Sequence, residues 1–384
     1  MPPTLFDSWF DDSHVAFRAV ARRFAETAIA PFATDWEEAG EFPRELYVQA
    51  AEAGLLGPTY PADLGGGGGD VFHAVVLGEE LLRGGSTGVV IGLGSLAIAL
   101  PPVLELGTPE QKARIVPPIL RGEHIAALAI TEPGTGSDVS AVRTRAVRDG
   151  DSYVLNGAKT FITSGVRADL VTVLARTGDD PHGGLTFFAV DTKLPGFHVS
   201  RALKKHGWWA SDTAELHFED LRVPIESRLG PEGSGFPALM RNFEGERLML
   251  AVNGHALAEL AFDDALAWAR ERKAFGRPIG KFQVTRHKLA DMATRIASAK
   301  ALTYGVAARI RDGHPSPVEV AMAKNHASEV AREVCWEAVQ ILGGMGYMRE
   351  TRVERFLRDA RLLPIGGGTS EIMNEIIGRM GLGL

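Results

Sequence analysis

Apolar residues recur at helical intervals in the first third of the chain. The segments HVAFRAVARRFAETAIAPFA and RELYVQAAEAGLL show this spacing, which predicts helices over most of residues 8–120. Thr108, Pro109 and Gln111 offer an N-cap, a proline at the first helical position and a capping-box partner. We therefore expect a helix to begin at about Pro109.

The pattern changes between residues 123 and 224. Short β-branched or aromatic segments replace the helical spacing, and Asp-Gly, Asn-Gly and Gly-Gly turn signals separate them. This pattern predicts an antiparallel all-β region. Beyond about residue 235, helical spacing returns over 236–271, 281–312, 316–342, 350–359 and 370–381, with alanine-rich stretches that indicate close-packed antiparallel helices.

The order of these segments predicts an α+β multidomain fold. Its parts are an N-terminal α-helical domain over residues 1–122, a middle antiparallel β-barrel or sandwich domain over 123–228, and a C-terminal four-helix-bundle-like domain over 229–384. In the first part, the run LGGGGGD at 64–70 lacks the Lys-Ser/Thr that completes a phosphate loop. We expect a flexible connection there.

Composition and charge narrow the functional classes. Acidic residues outnumber basic ones by 48 to 41, and no long basic run occurs, which argues against nucleic acid or an anionic membrane surface as a partner. We find no pattern of a secretory signal or a membrane span, so we expect no membrane insertion. The single cysteine, Cys335, excludes an internal disulfide and favours a cytoplasmic location; we expect it to be buried.

Histidines are rival candidates for acid–base chemistry. His255 and His287 lie on predicted amphipathic helices, where core or surface roles are expected. No His/Asp/Glu group shows metal-ligand spacing along the chain, so we expect no metal site.

Two glycine-containing segments carry candidate binding groups. ALAITEPGTGSD, at 127–138, leaves a predicted strand and enters a turn whose hydroxyls suit a heteroaromatic ring edge or a phosphate, although ordinary turns use the same residues. PIGGGTSEIMNE, at 364–375, puts three glycines before a helix start, where backbone N–H groups can receive a nucleotide.

The segment YVLNGAKTFITSG, at 153–165, alternates as a strand does. Phe161 and Thr163 are therefore predicted to lie on one face, opposite Ile162. A ring and a hydroxyl that project together could cover a planar cofactor and hydrogen-bond to its edge. A core phenylalanine and an ordinary strand threonine are the alternative.

Five segments occur in a fixed order: TEPGTGSD and YVLNGAKTFITSG are followed by RERKAFGRPIGKFQ at 270–283, QILGGMGY at 340–347 and RFLRDARLLPIGGGTSEIMNEII at 355–377, which contains PIGGGTSEIMNE. In that order they closely resemble the acyl-CoA dehydrogenase family, over essentially the whole chain. The resemblance implies an enzyme that binds FAD and oxidises a fatty acyl-CoA to the trans-2-enoyl-CoA. A carboxylate would remove the α-proton, and hydride would pass from the β-carbon to flavin N5. The resemblance also implies an electron-transferring flavoprotein as electron acceptor and a homotetramer built as a pair of dimers.

The resemblance further implies which residues bind the cofactor. Ile130, Thr131 and Ser137 are expected to line the flavin and the start of the acyl-CoA site, with Ser137 also contacting substrate. Phe161 is expected to pack on the isoalloxazine, and Thr163 to hydrogen-bond near N5. The positions implied to reach the FAD of a neighbouring subunit are Arg272, Phe275, Gln283, Gln340, Gly343 and Gly344, and those at its adenosine and pyrophosphate end are Thr369 and Glu371.

The catalytic base requires a separate assignment. Medium- and short-chain members carry a glutamate at the position of Gly367, which has no carboxylate. Long-chain and isovaleryl-type members, which this chain resembles most, carry the base on the helix after the β-domain, and Glu246 in NFEGERLML matches that position. Glu244 lies about 200° round the helix, on a different face. Arg247 is expected to balance the charge of the base, and Glu244, Arg247 and Gly367 are expected to contact substrate.

Two questions stay open at this level. Gly92 and Gly94 match the floor of the family's acyl pocket, so they either widen the cavity for long or branched chains or simply permit close helix packing. The alternatives to a dehydrogenase are an acyl-CoA oxidase or flavin monooxygenase on the same scaffold, or a non-catalytic paralogue. Glu246 and the flavin-side motifs favour thioester oxidation.

Overall fold

The computed structural model describes residues 6–384, and its first part is helical. Helix α8 begins at Pro109, as predicted. The Thr108 Oγ1 accepts from the Gln111 N–H at 3.2 Å, and the Gln111 Oε1 accepts from the Thr108 N–H at 2.7 Å, which completes the capping box. The helices are α1 Asp12–Phe24, α2 Ala33–Ala39, α3 Glu45–Glu52, α4 Val71–Leu82, α5 Thr87–Leu93, α6 Leu96–Ala99, α7 Pro101–Leu106 and α8 Pro109–Leu120, with a π-helical segment at Ala25–Ile29 and 3-10 turns at Asp7–Trp9 and Ala62–Leu64.

Helices α1 and α4 begin with the same type of cap, and the two caps touch. The backbone N–H of Asp11 donates to His14 Nδ1 at 3.0 Å, that of Asp70 donates to His73 Nδ1 at 3.2 Å, and His14 Nε2 lies 2.7 Å from Asp70 Oδ1. Ligand atoms of three of these side chains lie within 4.8 Å of one another, a grouping that spacing along the chain did not indicate. Because each Nδ1 accepts a backbone N–H, helix capping accounts for the group.

One eight-stranded sheet forms the middle of the chain, in the order β6-β7-β3-β2-β4-β5-β8, with β1 beside β4. Most neighbours are antiparallel, as predicted, but β1 runs parallel to β4, and β2 meets β4 in parallel at one residue pair. The β2–β3 hairpin intervenes between β1 and β4 in sequence, and such a crossover permits parallel pairing. The strands are β1 Ala126–Ala129, β2 Arg145–Asp149, β3 Ser152–Thr163, β4 Leu170–Arg176, β5 Leu185–Asp191, β6 Phe197–Ala202, β7 Thr213–Pro224 and β8 Arg228–Leu229, with 3-10 turns at Val139–Ala141 and Ile225–Ser227.

Long helices return after the sheet and confirm the predicted helical segments. Three of them, α9, α10 and α11, pack on one another, and α4 packs on α9. One buried apolar cluster runs through both helical parts and reaches the sheet, whereas a second lies within the sheet. The elements are α9 Gly235–Glu271, β9 Lys273–Ala274, β10 Arg277–Pro278, α10 Gln283–Arg311, α11 Pro317–Leu342, α12 Gly344–Tyr347, α13 Arg352–Ala360 and α14 Ser370–Ile376, with a 3-10 turn at Ile279–Lys281 and a π-helical segment at Ile377–Gly381.

The helices of residues 6–384 differ from membrane-spanning helices in length or hydropathy. Within residues 6–384, no single helix is long and apolar enough to cross a bilayer. The pair Thr87–Leu93 and Leu96–Leu106, bent by 42°, meets those criteria of length and composition only when taken together.

The glycine run before α4 is folded tightly, so the prediction of a flexible connection was wrong. The N–H of Gly67 donates to the Gly57 carbonyl at 3.1 Å, and that of Gly69 donates to the Pro58 carbonyl at 2.9 Å. A Cβ on Gly67 would lie 2.7 Å from the Pro58 oxygen. The glycines thus allow two backbone segments to approach each other closely.

This packing predicts that Gly67→Ala is destabilising. Because the obstacle is backbone rather than a movable side chain, we expect the free energy of unfolding to fall by about 1–3 kcal/mol. Chemical denaturation followed by circular dichroism measures the change. The matched control is Gly305→Ala on α10, where nothing lies within 4 Å of the new methyl group and stability should hold or rise. Equal stability of Gly67→Ala and the parent would contradict the packing argument.

Candidate active site

The carboxylate of Glu246 lies against the loop at Gly367. A Cβ built on Gly367 would lie 3.5 Å from Glu246 Oε1 and 2.6 Å from Leu250 Cδ1. The backbone of Gly367 has φ of 64°, a conformation that glycine adopts without strain. Glu246, on α9, therefore places its carboxylate in van der Waals contact with the point where a side chain at position 367 would begin, and Leu250 obstructs such a side chain.

Two cationic side chains fix that loop. Arg247 Nε donates to the Gly367 carbonyl at 2.9 Å, and Lys324 Nζ, from α11, donates to the Gly368 carbonyl. The loop then enters α14, whose first turn is capped by Thr369 Oγ1, which accepts from the Ile372 N–H at 3.3 Å. The loop is thus held between α9 and α11 by charged donors.

Glu246 is half-buried and unpaired. Within residues 6–384, no hydrogen bond and no ion pair within 4.0 Å holds its carboxylate. Burial raises the pKa of Glu246 above its ordinary value, and the nearby charges of Arg247 and Lys324 partly oppose that rise. The result is a free carboxylate in a poorly hydrated place, with a strengthened affinity for a proton.

The neighbouring ionisable groups respond to the same burial. Burial lowers the pKa of Lys324 to about 8, with the charge of Arg247 acting in the same direction and that of Glu246 against it. The pKa of Glu244 is also raised by burial, but the charges that oppose the rise are those of Arg247 and Arg241. Glu244 and Glu246 thus share Arg247 as a cationic neighbour and differ in the second one, which is Arg241 for Glu244 and Lys324 for Glu246.

Phe161 is presented by an irregular strand. The pairing of β3 with β7 shifts register between Lys159 and Ile162, and Phe161 has φ of 61°, which is uncommon for a residue with a side chain. Phe161 is 68% exposed and Thr163 is half-buried, whereas Ile162 between them is buried, which is the pattern expected if the first two lie opposite the third. Strain of this kind concentrates at functional positions.

The turn after β1 is tied directly to β3 by a buried ion pair. Lys159 Nζ donates to the Ile130 carbonyl at 2.8 Å and to Glu132 Oε1 at 2.9 Å. The Thr160 N–H donates to the Thr131 carbonyl at 2.8 Å. These bonds bring Ile130 and Thr131 beside the strand that carries Phe161, whereas Ser137 lies farther along the turn in an exposed position.

Lys159 and Glu132 were missed as site-forming residues in the sequence. Both lie inside the quoted motifs, and a lysine among alternating strand residues was the available signal. The Glu132 carboxylate also accepts the backbone N–H groups of Arg143 and Thr144, at 2.8 and 2.9 Å. One ion pair therefore organises the whole turn.

Six predicted cofactor residues lie away from Glu246 on the surface of the chain. They are Arg272, Phe275 and Gln283 around the β9–β10 hairpin, and Gln340, Gly343 and Gly344 at the end of α11, all exposed. Phe275 is 95% exposed, and its backbone φ is 50°. Among residues 6–384, none of the six hydrogen-bonds to Glu246 or to the loop at Gly367.

The residues of this chain fit FAD at two places: the surface around Phe161 suits the flavin ring system, and the start of α14 suits the adenosine and pyrophosphate end. The strained, exposed Phe161 ring beside the Thr131 turn offers a flat apolar surface with polar atoms at its edge. At α14, Thr369 uses its oxygen as a helix cap, which leaves its hydroxyl hydrogen to donate, and Glu371 is exposed in the first turn.

The two glycines at the predicted floor of the acyl pocket have different surroundings. A Cβ on Gly92 would lie 2.5 Å from the Phe42 ring, so Gly92 serves close packing rather than a wider cavity, while Gly94 ends α5 in an exposed position.

His255 is buried and its pKa is lowered to about 3 by burial, and His287 is exposed, as expected for core and surface roles. Cys335 is buried as predicted.

Family models match nearly the whole chain in three consecutive parts. They are the N-terminal, middle and C-terminal domains of acyl-CoA dehydrogenase, over residues 11–123, 127–221 and 233–382. The mitochondrial long-chain specific acyl-CoA dehydrogenase of Mus musculus is 39% identical over 96% of this chain and 86% of its own length. The short-chain specific acyl-CoA dehydrogenase of Clostridium acetobutylicum is 40% identical over 94% of this chain and 95% of its own length.

Solved structures give the same result. A probable acyl-CoA dehydrogenase from Mycobacterium abscessus has a TM-score of 0.95 at 50% identity, covering 97% of this chain and 99% of that one. A glutaryl-CoA dehydrogenase from Mycobacterium smegmatis in complex with FADH2 has a TM-score of 0.94 at 27% identity, covering 99% and 97%. A structure described as an electron-transferring flavoprotein of Acidaminococcus fermentans has a TM-score of 0.94 at 38% identity, covering 99% and 100%.

The buried pair predicts a large stability effect of Lys159→Met. Removing the lysine leaves the Glu132 carboxylate buried without its cation, so we expect a loss of about 3–5 kcal/mol in the free energy of unfolding. Thermal and urea denaturation measure it, and the double variant Lys159→Met/Glu132→Gln should recover part of the loss. The control Arg222→Met breaks an exposed pair with Asp149 and should cost less than about 1 kcal/mol. Equal losses in both single variants would contradict the argument.

Proposed function

The chain belongs to the acyl-CoA dehydrogenase family, FAD-dependent oxidoreductases that dehydrogenate acyl-CoA thioesters, and on that premise we propose that Glu246 is the base that removes the substrate α-proton. The observation that carries the proposal is the position of the Glu246 carboxylate, whose Oε1 lies 3.5 Å from the point where a Cβ on Gly367 would stand. A side chain at 367 would therefore begin beside the carboxylate of Glu246.

The chemistry requires a base of this kind. A proton next to a thioester carbonyl is weakly acidic, so its removal needs a positioned group with sufficient proton affinity. Burial raises that affinity for Glu246, while Arg247 and Lys324 favour the ionised form. The carboxylate has no competing hydrogen-bond donor within residues 6–384, so it is available to a substrate proton.

The flavin side of the site follows from the β-domain. When bound, FAD supplies the acceptor for the hydride from the substrate β-carbon. We propose that Phe161 covers the ring system, that Thr163 hydrogen-bonds at its edge, and that the turn at Ile130 and Thr131 borders it. The Lys159–Glu132 pair keeps that turn and β3 in one fixed arrangement before cofactor arrives.

We further propose a homotetramer built as a pair of dimers. Its support is the exposed position of the six residues around the β9–β10 hairpin and the end of α11, and the large apolar side chains exposed near them. Phe275, Trp336 and Tyr347 are 95, 62 and 83% exposed, values that a partner subunit would lower. Arg272 and Gln283 would then act on a cofactor held by a second copy.

Electron acceptor, pathway and location are proposals of the same kind. An electron-transferring flavoprotein is supported by the structural neighbour described by that name, and a role in fatty acid β-oxidation by the family activity. A cytoplasmic location is supported by the single, buried cysteine. The long-chain and short-chain relatives have nearly equal sequence identity to this chain, 39% and 40%. Because Gly92 serves packing and does not widen a cavity, we propose no preferred acyl length.

The base assignment predicts the behaviour of Glu246→Gln. We expect the flavin of the purified holoenzyme to be reduced about 10²–10⁴ times more slowly than in the parent after anaerobic mixing with an acyl-CoA series from C4 to C16. Stopped-flow absorbance measures the rate constant, and flavin content is matched between samples.

The control is Glu329→Gln, which makes the same chemical change at an exposed carboxylate on α11 paired with Arg332. It should react as the parent does. If Glu246→Gln bleaches the flavin at the parental rate with every substrate, Glu246 is not the base.

A further inference from the structure

Lys324 is a buried cation without a carboxylate partner. Its side chain is 0% exposed on α11, and within residues 6–384 no ion pair within 4.0 Å includes it. Its ammonium group donates to the Gly368 carbonyl. Lysine is rarely buried without a paired charge because desolvation of the ammonium group is costly, so this position calls for a functional explanation.

The surroundings of Lys324 connect it to the base. Charged groups from two neighbouring helices face this region: Glu246 and Arg247 on α9, and Glu371 on α14. Lys324 and Arg247 donate to the carbonyls of successive residues, Gly368 and Gly367. The Glu246 carboxylate lies against the same loop and interacts electrostatically with both cations.

We infer that Lys324 is a positioning residue for the base: it fixes the loop at Gly367 and Gly368 beside Glu246, and its charge helps to keep that carboxylate ionised despite burial. The inference rests on the proposed function of Glu246. Arg247 alone would supply one positive charge, but it is bound to the loop from the same helix as the base. Lys324 adds a second charge from α11 and links the position of the loop to the helix packing.

The alternative is that Lys324 only holds the loop in place. A lysine that only fastened the loop would change stability or the reaction rate equally at every pH. A lysine that also stabilises the charged base would change the midpoint pH at which the rate constant of flavin reduction rises. The pH dependence of flavin reduction therefore separates the two roles.

The experiment compares Lys324→Met, Lys324→Gln and Lys324→Arg as FAD-loaded enzymes. The limiting rate constant of anaerobic flavin reduction by acyl-CoA is measured from pH 5 to 9. Without the positive charge the base binds its proton more tightly, so in the Met and Gln variants we expect the midpoint of the rise in rate to move alkaline by about one pH unit. Below the midpoint, the rate should then fall about tenfold. Lys324→Arg keeps the charge and should keep the midpoint near the parental value.

Controls separate this inference from the proposed function. Lys300→Met removes a lysine that pairs with Glu259 on α9, and its midpoint should match the parent. An unmoved midpoint in both neutral Lys324 variants would overturn the inference, as would failure of both to fold while Lys324→Arg folds normally. If Glu246→Gln reacts at the parental rate, the base assignment itself fails. If Glu246→Gln is slow and the midpoint is unmoved, only the role of Lys324 fails.

Discussion

The packing of one glycine loop against helix α9 is the constraint on which the rest of the site depends. Gly367 has no side chain, and its backbone conformation suits glycine. The space that a Cβ would take is bordered by Leu250 and by the carboxylate of Glu246. Because protein interiors are close-packed, a side chain at 367 would displace Leu250 and begin beside the carboxylate of Glu246. The glycine at 367 and the carboxylate of Glu246 therefore belong to a single packing arrangement.

Hydrogen bonds from buried cationic side chains fix both the glycine loop and the turn after β1. Arg247 and Lys324 bind the glycine loop through two successive carbonyls, and Lys159 binds the turn after β1 through Ile130 and Glu132. Each of these cations loses hydration, and hydrogen bonds to oxygen offset that cost. Groups held in this way need little rearrangement when substrate and cofactor arrive, which is what positioning contributes to catalysis.

Sequence periodicity predicted the parts of the fold that depend on local pattern. The long helices after residue 235 and the capped start of α8 follow from spacing and from the chemistry of Thr108 and Gln111. The parallel placement of β1, the register shift beside Phe161 and the tight glycine run did not follow, because each is set by contacts between distant segments. The assignment of Glu246 as the proposed base came from family resemblance, whereas the pairing of Lys159 with Glu132 became visible only in three dimensions.

The most direct test of the central claim is to move the carboxylate from one position to the other. The rate constant of anaerobic flavin reduction is compared for Glu246→Ala and for Glu246→Ala/Gly367→Glu, both loaded with FAD. If a carboxylate at 367 can replace the neighbouring carboxylate of Glu246, the double variant should react at least about tenfold faster than the single variant while staying below the parent, since a side chain at 367 must displace Leu250. A double variant no faster than Glu246→Ala, or a single variant as fast as the parent, would contradict the account.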